Sequence, residues 1–247
     1  MKITDVKALH LRLPVVEEIA DGTQDCLIVK IETDSGLVGL GEIVSGSYVA
    51  RAVIEAPRSA PFRHGLAEIL IGMDPLDTDS AFNAMIEGTY WYGPGGVARH
   101  AISGIDMALW DIKGKVLGVP CYELFGGPVR RSVPAYGNYW FMKTRMGKTS
   151  VGEYAESAAR AVENGFRALK WSPFGYAAHS MTPEQEHVTF ECVRQVREAV
   201  GPDIWLMVDA HGRFDLPQAR RLAKGFEEYN LYFFEEPLPP ENLDAFV

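Results

Sequence analysis

The segment IWLMVDAHGRFD, residues 204–215, carries the pattern from which the fold class is predicted. Its first five residues form a short apolar run of the kind found in strands that are buried on both faces. Polar residues follow at once, and Asp215 stands where the N-cap of a following helix belongs. A buried strand that leads through a polar turn into a capped helix is one βα unit of a parallel sheet.

The same pattern repeats on both sides of this stretch. Further strands are predicted at Val133–Asn138, Ala168–Trp171 and Leu231–Phe234, so that successive strand starts lie 35, 36 and 27 residues apart. Capping boxes that begin at Ser150 and Thr182 predict the intervening helices. A β/α barrel and a doubly wound sheet both fit this rhythm, although no Gly-x-Gly-x-x-Gly fingerprint of a dinucleotide fold is present.

Residues 1–128 have a different order of predicted elements. The runs Leu27–Thr33 and Val38–Glu42 flank the turn residues DSG at 34–36 and predict a β-hairpin. Helical patterns follow, most clearly over Ala98–Leu117. Strands followed by helices indicate an α+β domain at 1–128, with a β/α domain at 129–247. We expect loops at Glu17–Asp25 and Ser45–Tyr48.

The composition excludes several classes of protein. The chain has 247 residues, 47% of them hydrophobic, which is enough to bury a core. No apolar run approaches the length of a membrane span, and no signal peptide is visible. The net charge of −9 argues against broad nucleic-acid binding. Three scattered cysteines indicate free thiols and a cytoplasmic protein.

Ionisable residues stand at the carboxyl ends of three consecutive predicted strands. Lys170 ends the first of these strands, Asp209 and His211 follow the next, and Glu235 and Glu236 follow the last. In a β/α barrel the carboxyl ends of the strands form the active-site mouth. We therefore expect these side chains to lie close together.

These residue types predict a metal-assisted proton abstraction. Two neighbouring carboxylates, Asp209 and Glu235, repel each other unless a cation joins them, and all-oxygen ligands favour Mg²⁺, with Mn²⁺ possible. Lys170 and His211 can both exchange protons. A divalent cation with such groups suits removal of the weakly acidic proton next to a carboxylate.

The chain resembles the enolase superfamily, in its mandelate racemase/muconate lactonizing enzyme group. The segments that carry the resemblance are ETDSGLVGLGE (32–42), GMDPLDTD (72–79), TYWYG (89–93), HAISGIDMALWDIKGKVLGVPCYELFGG (100–127), VDAHGRFD (208–215) and EEPLPPEN (235–242). The resemblance implies an N-terminal α+β capping domain followed by the first part of a TIM-like (β/α) barrel. It also implies that Asp209 and Glu235 bind an essential Mg²⁺ and that Lys170 holds a catalytic position.

Within this group the chain is most similar to acid-sugar dehydratases of the galactonate and gluconate kind. That similarity implies that His211 is a catalytic acid/base and that the substrate is a sugar acid, which loses water to give a 2-keto-3-deoxy product. We expect Ser172, Glu236 and Tyr48 to contact the substrate. Ser172 departs from the acid or amide often found at its position, and it favours one-sided chemistry from His211 over two-base racemisation.

Two alternatives remain: a racemase, epimerase or cycloisomerase of the same group, or a non-catalytic half-barrel. A full β/α barrel takes roughly 250 residues, whereas 119 follow residue 128. We therefore expect four barrel strands, an incomplete barrel and an open sheet edge, with doubtful activity from these residues alone. We expect the protein to form a homo-oligomer.

Overall fold

The computed structural model describes residues 1–16, 24–61, 63–141, 150–241 and 243–246. These residues form two compact units, and the boundary between them in the sequence lies between Arg131 and Ser132. Most of the predicted Glu17–Asp25 loop lies outside the described residues, and Asp25 already belongs to a strand. Among the described residues, no helix has the length and apolar character needed to cross a membrane.

The N-terminal unit begins with an antiparallel sheet in the order β1-β2-β3. Its strands are β1 (Ile3–Arg12), β2 (Asp25–Thr33) and β3 (Val38–Ile43). The predicted hairpin is confirmed, with Gly36 at φ 81° in its turn. Alternation along β2 sends Leu27, Val29 and Ile31 into the core, where each is fully buried.

Five helices complete this unit: α1 (Ser47–Glu55), α2 (Leu66–Leu70), α3 (Thr78–Gly88), α4 (Val97–Leu117) and α5 (Cys121–Leu124). The predicted long helix is confirmed as α4, which ends at a left-handed Gly118. The predicted Ser45–Tyr48 loop is wrong at its end, because α1 begins at Ser47. Apolar residues on one face of α1, such as Ile54, bury that helix in the core.

The C-terminal unit consists of βα units with a parallel sheet in the order β4-β5-β6. The elements are α6 (Val151–Glu163), β4 (Ala168–Trp171), α7 (Pro183–Val200), β5 (Trp205–Asp209), α8 (Leu216–Phe226) and β6 (Phe233–Glu235). Short 3₁₀ helices lie at Glu227–Tyr229 and Leu243–Phe246. The predicted capping boxes at Ser150 and Thr182 and the cap at Asp215 are all confirmed.

The predicted strand at Val133–Asn138 is wrong. The structure has only an isolated parallel bridge between Gly137 and Leu169 at this edge of the sheet. Gly137 N donates to Ala168 O at 2.8 Å, and Lys170 N donates to Gly137 O at 2.9 Å. Pro134 has no N–H to contribute to a ladder, which disfavours a longer strand. The described sheet therefore has three strands and a bridge, where the sequence predicted four strands.

Candidate active site

The sheet register brings three charged side chains together. Asp209, the last residue of β5, pairs with Glu235, the last residue of β6. Lys170 on β4 places its Nζ 2.7 Å from Asp209 Oδ2 and 2.7 Å from Glu235 Oε2. The side chains of Lys170 and Asp209 are 9% and 8% exposed, whereas that of Glu235 is 37% exposed. The strand-end residues thus form one mostly buried ionic cluster.

The two carboxylates decide the charge state of Lys170. Burial alone lowers the pKa of an amine, because it penalises the charged form. Hydrogen bonds to Asp209 and Glu235, together with their negative charges, outweigh that effect and raise the pKa of Lys170 above its ordinary value. Lys170 is therefore an ammonium group that joins two carboxylates.

The donor set of this cluster suits a hard cation. One carboxylate oxygen of Asp209 and one of Glu235 converge, and the Lys170 ammonium contacts both of them. Carboxylate oxygens are what Mg²⁺ prefers, and Mg²⁺ usually keeps several waters, so two protein carboxylates can contribute to its shell. Within the described ranges no cluster of three or more His, Cys, Asp or Glu residues is arranged to hold a metal. Because their carboxylate oxygens converge, Asp209 and Glu235 fit Mg²⁺ as two of its ligands, with waters in the remaining positions.

His211 stands beside the cluster in an uncommon backbone conformation. Its φ is 52°, and Glu236 after the neighbouring strand has φ 40°. Backbone hydrogen bonding between the two neighbouring segments continues beyond the ends of β5 and β6, since Gly212 N donates to Glu236 O at 2.8 Å. Left-handed non-glycine residues cost on the order of 1–3 kcal/mol each and collect at functional sites. The turn places His211 Nε2 3.3 Å from Asp209 Oδ2, while its backbone N donates to Asp209 Oδ1 at 2.9 Å.

Sequence reasoning did not identify Arg213, which contacts His211. Arg213 Nη2 lies 3.1 Å from His211 Nδ1. Arg213 Nε donates to Ala210 O at 2.7 Å, and Nη1 donates to Gly175 O at 3.0 Å. Arg213 lies in the turn after β5, where strand alternation no longer applies, and the signal that could have found it is its place in the polar segment that follows a strand end.

A small cleft opens beside the cluster. Eight residues line it: Asn138, Tyr139, Phe141, Lys170, Trp171, Ser172, Asp209 and His211. Sequence reasoning also missed the first three of these residues, although Asn138 ends the predicted strand 133–138 and the strand-end rule applied to it. Trp140, between them in sequence, donates its Nε1 proton to Lys170 O at 3.0 Å and fixes this segment to β4.

The remaining predicted substrate contacts lie in different places. Ser172 lines the cleft, and its Oγ is 3.5 Å from Arg213 Nη2. Glu236 is exposed next to Glu235. Tyr48 belongs to α1 of the N-terminal unit, where its exposed ring meets the edge of His10 with a centroid distance of 4.4 Å. The role of each in substrate binding stays a prediction.

Comparisons with known proteins agree with this architecture. Residues 3–126 match the family model "Mandelate racemase / muconate lactonizing enzyme, N-terminal domain", and residues 153–247 match "Enolase C-terminal domain-like". D-gluconate dehydratase from Thermoproteus tenax is 36% identical over 89% of this chain and 42% of its own length. D-galactonate dehydratase from Pectobacterium atrosepticum is 35% identical over 89% of this chain and 54% of its own length.

A solved structure shows the same fold. A member of the enolase superfamily from Salmonella Typhimurium superposes with a TM-score of 0.82 at 29% identity. The match covers 99% of this chain and 63% of that one. The chain thus spans about half the length of the curated relatives it matches. Both of its units are covered by family models, and the chain belongs to the mandelate racemase/muconate lactonizing enzyme family of the enolase superfamily.

Proposed function

We propose that the protein is a Mg²⁺-dependent acid-sugar dehydratase. It would remove the proton next to the carboxylate of a sugar acid and eliminate the β-hydroxyl as water, giving a 2-keto-3-deoxy acid. The observation that carries this proposal is the convergence of Asp209, Glu235, Lys170 and His211 at the carboxyl ends of three adjacent strands. The D-gluconate and D-galactonate dehydratases described above support the substrate class.

Each side chain has a role that its position allows. Asp209 and Glu235 would hold Mg²⁺, which would supply the positive charge that a substrate carboxylate needs as the adjacent C–H loses its proton. Lys170, held as an ammonium beside them, adds positive charge at the same place. His211 exposes its imidazole at the cleft and would take part in moving the proton, which passes from the carbon next to the carboxylate to the departing β-hydroxyl and leaves with it as water. Ser172, which also lines the cleft, would donate or accept a hydrogen bond with the substrate.

The test is a substrate screen with the natural full-length protein. A panel of aldonates and aldarates is incubated with Mg²⁺, and 2-keto-3-deoxy acids are detected by chemical assay and mass spectrometry. We expect one or a few related sugar acids to lose one water, and we expect a chelator to stop the reaction. Epimerised or lactonised products without loss of water would contradict dehydration.

We also propose a cytoplasmic location and a homo-oligomeric state. Free thiols at Cys26, Cys121 and Cys192 are typical of a reducing compartment and support the location. Exposed large side chains such as Trp91 and Tyr92 support an oligomer. Fractionation of the source cells and light scattering of the purified protein test these two proposals.

A further inference from the structure

The guanidinium of Arg213 connects the loops that follow β4 and β5. Nε donates to Ala210 O and Nη1 donates to Gly175 O, at 2.7 and 3.0 Å. Nη2 lies 3.1 Å from His211 Nδ1, with a longer contact of 3.5 Å to Ser172 Oγ. One rigid, planar group therefore contacts both loops that line the cleft.

The contact with His211 fixes the chemistry of the imidazole. Arginine carries only hydrogen-bond donors, so His211 Nδ1 must be the acceptor. In the neutral ring the proton then lies on Nε2, which faces Asp209 Oδ2 at 3.3 Å. Without the Arg213 contact, Nδ1 could carry the proton once the half-exposed ring turns away from Asp209, and the ring could then take either tautomer.

The fold does not need the Arg213 side chain to hold its backbone. His179 N donates to Arg213 O at 2.8 Å, and Asp215 N donates to His179 O at 2.9 Å. The neighbouring Phe214 is buried in the core of this unit. The main chain on either side of Arg213 is thus fixed by other groups, and the guanidinium is directed at the cleft loops.

We propose that Arg213 is a positioning residue: its guanidinium joins the loops after β4 and β5 and holds His211 with a protonated Nε2 toward the cleft. This proposal refines the proposed dehydratase and rests on it for its catalytic consequence. Because Nδ1 accepts from Arg213, Nε2 is the ring nitrogen that would contact the β-hydroxyl of the substrate, and its N–H would orient that hydroxyl by a hydrogen bond.

The experiment compares Arg213→Met with Arg197→Met in the natural full-length protein. Arg197 is a matched control, because it also donates to backbone carbonyls of neighbouring loops, those of Gly201, Ile204, Tyr229 and Asn230, away from the cleft. NMR of ¹⁵N-histidine-labelled, metal-free protein reports the protonation of each ring nitrogen. Spectra are recorded at about pH 8.5, well above the ordinary imidazole pKa of about 6.5, and His211→Asn assigns the His211 signals.

We expect wild type to show His211 as a single tautomer with the proton on Nε2, and Arg213→Met to show a mixture. With the substrate found by the screen, Arg213→Met should lower kcat ~10- to 100-fold and change KM less than about threefold. Arg197→Met should lower the melting temperature only. If Arg213→Met does not fold, Arg213→Lys keeps the charge but cannot reach all three acceptors together, and the same mixture is expected.

Three results would overturn the proposal: a proton on Nδ1 in wild type, an unchanged single tautomer in both Arg213 variants, or equal effects of Arg213→Met and Arg197→Met on the His211 tautomer. A wild-type protein without dehydratase activity whose His211 tautomer still depends on Arg213 would refute the proposed function alone. Dehydratase activity with a tautomer independent of Arg213 would refute the positioning role alone.

Discussion

His211 shares its left-handed backbone with His179, but it combines that conformation with two side-chain contacts at the cleft, to Asp209 and Arg213. We expect His211→Asn to lower kcat by roughly 10²–10⁴-fold, the usual contribution of a general acid or base. Mg²⁺ binding should change little, because both carboxylates remain. Steady-state kinetics and calorimetric Mg²⁺ titration measure the two effects.

The control for that substitution is His187→Asn on the exposed face of α7. It should retain wild-type kinetics. A fully active His211→Asn protein would remove His211 from the mechanism, and a loss of activity shared by both variants would indicate a general effect of the substitution.

Cys192 gives a pH-dependent prediction for a single buried residue. Burial raises the pKa of its thiol from 9.0 to about 12. Above pH 9 the unfolded chain loses this proton and the folded chain keeps it, so the free energy of unfolding falls as the pH rises toward 12. At pH 10.5 the loss relative to pH 8 should be about 2 kcal/mol larger in wild type than in Cys192→Ala.

Urea unfolding of the two proteins at both pH values measures this difference. Other groups also titrate in this range, and the comparison of matched proteins removes their contribution. Equal pH dependence in both proteins would show that the Cys192 thiol ionises in the folded state as easily as in the unfolded state.

At the scale of elements, the contact between β3 and α4 depends on glycine. A Cβ on Gly41 would lie 1.9 Å from Gly104 O on α4, so Gly41→Ala must push the helix away from the sheet. We expect a destabilisation of about 3 kcal/mol or more. Gly95→Ala, with open space around its Cβ, should stay within about 0.5 kcal/mol of wild type. Thermal or urea unfolding of both variants tests this prediction, and a wild-type stability of Gly41→Ala would contradict the close packing.

The sequence predicted the starts of helices correctly where interactions between residues close in the chain determine them. The caps at Ser150, Thr182 and Asp215 each satisfy backbone N–H groups a few residues away, and the structure confirms all three. The strand at 133–138 was predicted from its apolar residues, but a strand also needs a partner ladder, and only Gly137 forms a bridge.

The parts of the site that the sequence did not predict depend on contacts between residues that are far apart in the chain. The positions of Lys170, Asp209 and Glu235 at the ends of consecutive predicted strands predicted that they lie together, because parallel strands end at one edge of a sheet. The contact of Arg213 with Gly175 joins residues 38 apart in the chain, and no local pattern encodes it. The left-handed turn at His211 is likewise set by its ladder to the loop after β6.

At the scale of the whole molecule, each unit has its own hydrophobic core, and each matches a family model. The proposed metal ligands, the ammonium and the imidazole all lie in the C-terminal unit. The N-terminal unit contributes Tyr48 as its predicted substrate contact. The proposed metal binding and the substrate contact predicted for Tyr48 can be tested by separate substitutions.

Tyr48→Phe should separate these functions. It removes one exposed hydroxyl and keeps the ring that packs against His10. We expect an increase in KM for the sugar acid of about 3- to 10-fold, as for loss of one hydrogen bond of roughly 1 kcal/mol, with Mg²⁺ affinity unchanged. Kinetics over a range of substrate concentrations measure KM, and an unchanged KM would remove Tyr48 from the substrate contacts.

The most direct test of the central claim is a calorimetric Mg²⁺ titration of the natural full-length protein, paired with a dehydration assay, for wild type, Asp209→Asn and Glu235→Gln. These substitutions keep the shape of each side chain and remove one charge. We expect wild type to bind Mg²⁺ and dehydrate a sugar acid, and we expect each variant to lose both properties. Mg²⁺ binding and turnover that persist in either variant would contradict the assignment of Asp209 and Glu235 as the metal ligands of a dehydratase.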